Sequence, residues 1–143
     1  PDSARYQLLT KAFEIARDMF PFGTGFATFG SYYSGVYYSS VYAAYGLSNI
    51  NGLRIGASQF ISDSFWPMIL GQSGYFGLLS YIFAVTMLLK AIQRIRKVEN
   101  SYYAAAMSGI CYLIIVSMAE SAFVHPIAVP IAMMIGAFLG KCE

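Results

Sequence analysis

The sequence predicts an all-α integral membrane protein: an amphipathic helix and a tyrosine-rich extracytoplasmic loop, followed by three transmembrane helices. Composition is the first reason. Of 143 residues, 57% are hydrophobic and 11% charged, against about 25% charged in an ordinary soluble domain. With a mean hydropathy of +0.55, the chain cannot cover itself with a solvated surface. The distribution of cations is the second reason. Four of the nine basic residues, Lys90, Arg94, Arg96 and Lys97, fall within KAIQRIRK, between runs 64–89 and 100–119 that carry no charge. A short Lys/Arg-rich connector between spans is retained in the cytoplasm. Residues 1–66 and the turn near 120–126 are therefore expected outside it.

Two regions follow, an extracytoplasmic helix-and-loop region over residues 1–66 and a membrane region over 67–143. Asp2 or Ser3 can cap a helix over residues 4–19 that stops before Pro21. Leu8, Leu9, Ala12, Phe13, Ile15, Ala16 and Met19 repeat at helical spacing, with Arg5, Lys11, Glu14, Arg17 and Asp18 between them. Too short and polar to span, this helix is expected on the membrane surface or leading out of a preceding span. FPFGTGFATFG (20–30) follows as a turn. Its Gly23-Thr24-Gly25 lacks the preceding strand and the spacing of a dinucleotide loop, so the glycines are read as sites of sharp turning or close backbone approach. Residues 31–51 hold six tyrosines and no charge. Tyrosine pairs an apolar ring with a hydroxyl, which suits both an interfacial belt and a wall for sugar faces.

Pro67 opens a first span (67–89), in which Gly71, Gly74 and Gly77 invite close approach by another helix. A cytoplasmic loop (90–101), a second span (102–123) and a short third span (124–140), interrupted by Pro126 and Pro130, complete the chain. Because it starts at Pro1 rather than Met and shows no signal peptide, we expect a fragment of a polytopic protein with further spans upstream. Cys111, inside an apolar run, reads as a small hydrophobe.

Candidate chemistry is confined to a few groups. A net charge of +2 with no basic stripe gives no reason to expect a nucleic-acid partner. One histidine and no Cys or carboxylate cluster leave no expectation of a metal site, and no cofactor motif is visible. With His125 as the sole imidazole and no nucleophile elbow, the signal for a Ser/His/Asp hydrolase is equally weak. Outside the cytoplasm there is no nucleotide pool, so a synthetic reaction there takes its substrate from a lipid carrier. Arginine stays protonated and contacts phosphate in bidentate fashion. Arg5, Arg17 and Arg54 are thus candidate diphosphate ligands, Arg17 being equally readable as a snorkelling or ion-paired surface residue. Asp63 is either a general base toward a hydroxyl or a helix cap in Ser62-Asp63-Ser64. Glu120 and His125 lie at the outer end of the second and third spans, where they either meet substrate or satisfy each other or backbone groups at a helix end. Tyr37, Tyr38 and Trp66 offer aromatic surface for a sugar.

Two stretches then look familiar. ARYQLLTKAFEIARDMFPFGTGFATFGS and DSFWPMILGQSGYFGLLSYI together resemble the C-terminal half of the O-antigen ligase and polymerase superfamily, bacterial polytopic proteins that process lipid-linked glycans. The shared pattern is an arginine entering a helix (Arg5), a proline–glycine turn (Pro21, Gly23, Gly25), a polar loop, and a span carrying a Gly-x-x-Gly pair (Gly74, Gly77). It covers about residues 4–82; the later spans are consistent but generic.

The resemblance implies a multi-pass glycosyltransferase of the bacterial cytoplasmic membrane, independent of metal and nucleotide sugar. It would transfer a glycan from undecaprenyl diphosphate to the sugar of another lipid-linked repeat unit, with inversion, and would work beside a flippase and a chain-length regulator. Arg5 would bind the diphosphate; Arg54 is a candidate from position alone. Ligases of the superfamily place a histidine just before the span, where this chain has Asp63. That departure favours a capsular or exopolysaccharide repeat-unit polymerase over a ligase, and SDSFW resembles such enzymes of Gram-positive bacteria. A ligase, a transporter and a non-catalytic scaffold are the competing expectations.

Overall fold

The computed structural model describes residues 4–57, 59–62 and 64–141. Among them the chain is all-helical: α1 (Ala4–Asp18), α2 (Tyr32–Val36), α3 (Ser40–Ala44), α4 (Phe65–Ile95), α5 (Asn100–Val116) and α6 (Ala128–Leu139), with short 3-10 turns at Leu47–Asn49 and Ala122–Val124. An isolated bridge between Arg54 and Ala57 is the closest approach to strand pairing.

α1 buries Leu8, Ala12, Ile15 and Ala16. These positions repeat at 4, 7 and 8 residues, a stripe along one side of a 3.6-residue helix. That stripe packs against α4, while Lys11 and Glu14 pair on the outer side at 2.6 Å. Leu9, Phe13 and Met19 stay exposed. The stripe joins Phe29, Tyr42, Leu47, Leu53, Ile61 and Leu70 in one core under the 20–61 loops. A separate core, Ile92, Ile95, Ala106, Ile110 and Ile135, binds α4, α5 and α6 to one another. One core therefore lies near each end of α4.

The expected straight first span is not what α4 forms. At Gly74 the backbone leaves helical geometry (φ 64°, ψ −163°). A straight helix would separate residues 65 and 81 by about 24 Å along its axis, yet the rings of Phe65 and Tyr81 are 5.1 Å apart. The chain bends sharply there, and Tyr81 and Phe123 close over Phe65. Gly71 and Gly74 do receive a close neighbour, but it is the 20–30 turn rather than another helix. A methyl at Gly74 would collide with the Pro21 carbonyl and the Gly23 amide, and one at Gly23 would sit 2.5 Å from the Gly71 oxygen.

A broken helix exposes carbonyls on one side of the gap and amides on the other. The turn supplies their partners. Thr24 N donates to Gly71 O (3.0 Å), Gly25 N to Gln72 O (2.9 Å), and Phe76 N to Pro21 O (3.3 Å). Thr24 Oγ1 adds a bond to Gly71 O at 3.1 Å. The Gln72 amide completes the seam, accepting from Ala27 N and donating to Phe29 O. These bonds offset a cost of several kcal/mol for each backbone group left without a partner in an apolar medium.

The helices after residue 67 also differ from the expected boundaries. The 90–101 loop shrinks to residues 96–99, because KAIQRI has good helix formers and its cations favour a helix C-terminus. Glu99 then caps α5 through Ser101 N. The expected 102–123 span ends at Val116, where Ser117 turns its hydroxyl back onto Ile114 O. The expected 124–140 span is a 12-residue helix, with Pro130 tolerated in its first turn. Three full-length spans are thus not seen. Among the described residues α4 alone is long and apolar enough to cross a membrane, whereas α5 and α6 are shorter apolar helices. In the apolar stretch of α4 only 6% of the residues are buried. Phe76, Leu79, Ile82, Phe83 and Met87 face outward from it.

Gly74→Ala is expected to lower stability by about 3 kcal/mol or more, since its φ/ψ region is essentially glycine-only and the methyl meets backbone on both sides. Gly136→Ala, where an added Cβ meets nothing within 4 Å, should gain about 0.5–1 kcal/mol of helix propensity. Thermal unfolding of the two variants in the same detergent checks the contrast.

Candidate functional site

Arg5 stands in the first turn of α1, whose buried stripe fixes which side of the helix faces the neighbouring loops. Tyr32 opens α2. Its place is set by Ser31, which accepts from Ser34 N while Ser34 Oγ accepts from Ser31 N, a reciprocal capping box. Beneath it, the fully buried Tyr42 accepts from Gly30 N at 2.8 Å and shares a hydrogen bond with Ser34 Oγ at 2.7 Å. Burial raises the Tyr42 pKa above its ordinary value, against the smaller opposing effect of its bonds to Ser34 and Gly30. The stability linked to this shift is complete below the ordinary tyrosine range and is lost as pH rises through the elevated value.

The connector between α5 and α6 forms the opposite wall. Ser121 Oγ donates to Ser62 O at 2.6 Å, and Trp66 Nε1 donates to Ser117 Oγ at 3.1 Å. Both bonds bind the connector to the segment that enters α4. Pro126 excludes helical geometry from its predecessor, and His125 is accordingly extended (φ −82°, ψ 147°).

Together these elements enclose an open cavity of about 340 Å³ lined by Arg5, Tyr32, Ser62, Glu120, Ser121, Val124, His125 and Pro126. A cation, a carboxylate, an imidazole and three hydroxyls thus meet from segments far apart in sequence, in a volume at the small end of ligand sites. Glu120 and His125 are exposed and form no ion pair with each other. A neighbouring cavity of about 240 Å³ shares Tyr32 and Ser62 and is lined further by Ser31, Gly35, Val36, Gln59 and Ile61, all uncharged.

The cavity gathers Arg5, Glu120 and His125 from the residues singled out by sequence. Others stand elsewhere. Arg17 is exposed near the far end of α1, about 18 Å from Arg5 along the helix. Arg54 is exposed in its own turn. Tyr37 is 82% exposed. Tyr38 is taken up by structure: its ring packs on Tyr42 at 5.4 Å and its hydroxyl donates to Leu53 O at 2.9 Å. Trp66 is likewise held by Ser117 and by edge contacts with Phe65 and Tyr81. Asp63 lies outside the described residues. Sequence reasoning passed over Ser62, Ser121 and the choice of Tyr32 among the tyrosines. The Ser31–Ser34 cap is the readable signal for Tyr32; nothing local marks the two serines.

No protein-family model, curated protein or solved structure matches the chain.

Docking of the connector is directly testable. With Cys111 and Cys142 replaced by Ser, the pair Ser62→Cys and Ser121→Cys should be joined by a short bifunctional thiol reagent, seen as a mass increment without dimer. The pair Ser62→Cys and Gly136→Cys should not be joined. Separately, Tyr42→Phe should cost about 1–3 kcal/mol in thermal unfolding, because it strips partners from a buried amide and hydroxyl.

Proposed function

We propose that the chain is part of a membrane glycosyltransferase that polymerises oligosaccharide repeat units carried on a lipid diphosphate, at the outer face of the bacterial cytoplasmic membrane. One observation carries the reading: Arg5, Glu120, His125 and Ser62, the residue preceding Asp63, line one cavity. That cavity lies at the C-terminal end of α5, while the Lys90–Lys97 cations lie toward its N-terminal end. A 17-residue helix separates the two by about 26 Å. If the cations are retained in the cytoplasm, the cavity opens on the other side. The outward-facing apolar side of α4 supports insertion, since exposed apolar surface on this scale needs lipid or a partner to cover it.

The chemistry suits that position. An acceptor hydroxyl attacks the anomeric carbon of the donor sugar, the bond from that carbon to the diphosphate oxygen breaks, and the electron pair leaves with the diphosphate. Arg5 neutralises the charge that develops there, as a preorganised donor in a partly dry site. Asp63 takes the hydroxyl proton, while Glu120 and His125 bind sugar hydroxyls.

A ligase is the second reading. It is favoured by His125 in the cavity wall, where the superfamily's ligases would use a histidine as base. A transporter is disfavoured by the seam at Gly74: its backbone groups are occupied by the 20–30 turn and are not left open for a moving solute.

Full-length purified protein given lipid-linked repeat units should form polymer without other enzymes. Arg5→Ala and Asp63→Asn should each lower the rate by about a hundredfold or more, the scale of losing a charge-stabilising or proton-accepting group. His125→Ala should cost far less. Attachment of finished glycan to a separate acceptor without chain growth would establish the ligase. Undiminished polymer in Arg5→Ala would remove Arg5 from the site.

A further inference from the structure

The basic end of the molecule has a geometry that the sequence did not reveal. Lys141, following α6, reaches back to α5: its Nζ donates to Tyr102 Oη at 3.2 Å and lies 4.6 Å over that ring. Tyr102 in turn stacks on Phe138 at 4.7 Å. One residue on, the Arg96 guanidinium sits 5.8 Å over the Tyr103 ring. The last turn of α4, the 96–99 connector and the end of α6 therefore converge on the first turn of α5. Lys90, Arg94, Arg96, Lys97 and Lys141 are all exposed at this end, against one described carboxylate, Glu99.

Nothing among the described residues neutralises this charge. Among the described residues none of the five cations contacts a carboxylate, and Glu99 is turned to Ser101 N as a cap. Lys90 and Arg94, four residues apart on one helix face, repel each other. Flat tyrosine rings seat Arg96 and Lys141, and tyrosine at the end of an apolar helix belongs at the headgroup level of a bilayer. Retention in the cytoplasm would require the charge alone, without convergence of three segments.

We propose that this end is a docking site for the phosphate of an anionic lipid headgroup, held between the Arg96–Lys97 turn and Lys141 with Tyr102 and Tyr103 at the interface. The inference rests on the membrane orientation proposed above and not on the glycosyl-transfer chemistry. Phosphate is the fitting group because arginine and lysine side by side offer a fork and a point charge to its oxygens. Lipid is the fitting source because the site adjoins the outward-facing apolar surface of α4.

The test uses the full chain in vesicles of phosphatidylcholine with or without phosphatidylglycerol, with retained lipid counted by native mass spectrometry. Wild type should retain phosphatidylglycerol selectively, and less so as salt rises. Lys141→Gln should weaken retention about fivefold, and Arg96→Gln with Lys97→Gln and Lys141→Gln about a hundredfold, at roughly fivefold per cation. Unfolding in pure phosphatidylcholine should be unchanged, which separates lost binding from lost folding. Equal phosphatidylglycerol retention by the triple variant overturns the proposal. So does equal protection of wild type by inorganic phosphate at matched ionic strength, which would indicate a free-anion site. Release of wild type from membranes by alkaline extraction would overturn the membrane reading and this proposal together; either of the other two failures, with the protein still inserted, overturns the proposal alone.

Discussion

The seam between the 20–30 turn and the elbow of α4 is the constraint on which the remaining structure depends. A chain that bends at Gly74 must satisfy the carbonyls of Gly71 and Gln72 and the amide of Phe76. The turn does so with its own backbone, and only glycine at positions 23 and 74 lets the two strands of chain come close enough. Apolar rings flank the seam, Phe22 against Phe76 at 5.8 Å and Phe20 against Tyr75 at 6.4 Å, so water competes poorly for its hydrogen bonds. The first half of α4 is thereby folded back onto the second. That places the segment ending at Ser62 beside the α5–α6 connector, where Ser121 grips it. Without the elbow, Phe65 could not reach Tyr81 and Phe123, and the wall bearing Glu120 and His125 would stand away from α1 and Arg5.

From that constraint follows a division of labour along the molecule. The end organised by α1 and the loops has an apolar core with one hydrogen-bonded pair inside it, Tyr42 and Ser34. The middle, along Tyr75 to Ile95, runs about 31 Å, the thickness of a bilayer's hydrocarbon layer. The far end is cationic and aromatic. Each zone suits a different medium, and the order of the zones makes the sidedness of the cavity a physical question.

Much of this was legible in the sequence where the signal is local. The stripe of α1 was readable because Leu8, Ala12, Ile15 and Ala16 repeat at the period of the helix that forms. The KAIQRIRK cluster was readable because charge between two apolar runs has one economical arrangement. The elbow was not. Gly23 and Gly74 are 51 positions apart, each is explicable alone, and only their mutual contact shows that one accommodates the other. Helix ends in 102–140 were misjudged for a related reason. Apolar residues continue past Ser117 at Met118 and Ala119, and periodicity cannot mark a stop made by a serine turned onto its own helix. At the site, Arg5, Glu120 and His125 stood out because ionisable groups are scarce in this chain. Ser62 and Ser121 are common residues whose importance lies in a contact 59 positions long. Tyr38 and Trp66 showed the converse: prominent side chains, here committed to holding the fold.

Sidedness is the claim most exposed to a single measurement. In cells carrying the full-length protein with Cys111 and Cys142 replaced by Ser, Val124→Cys and Val98→Cys place one thiol at each end, both at exposed positions. A membrane-impermeant maleimide applied to intact cells should label position 124 and leave position 98 untouched until the membrane is permeabilised. Labelling of position 98 from outside, with 124 protected, would put the cavity in the cytoplasm and contradict the account.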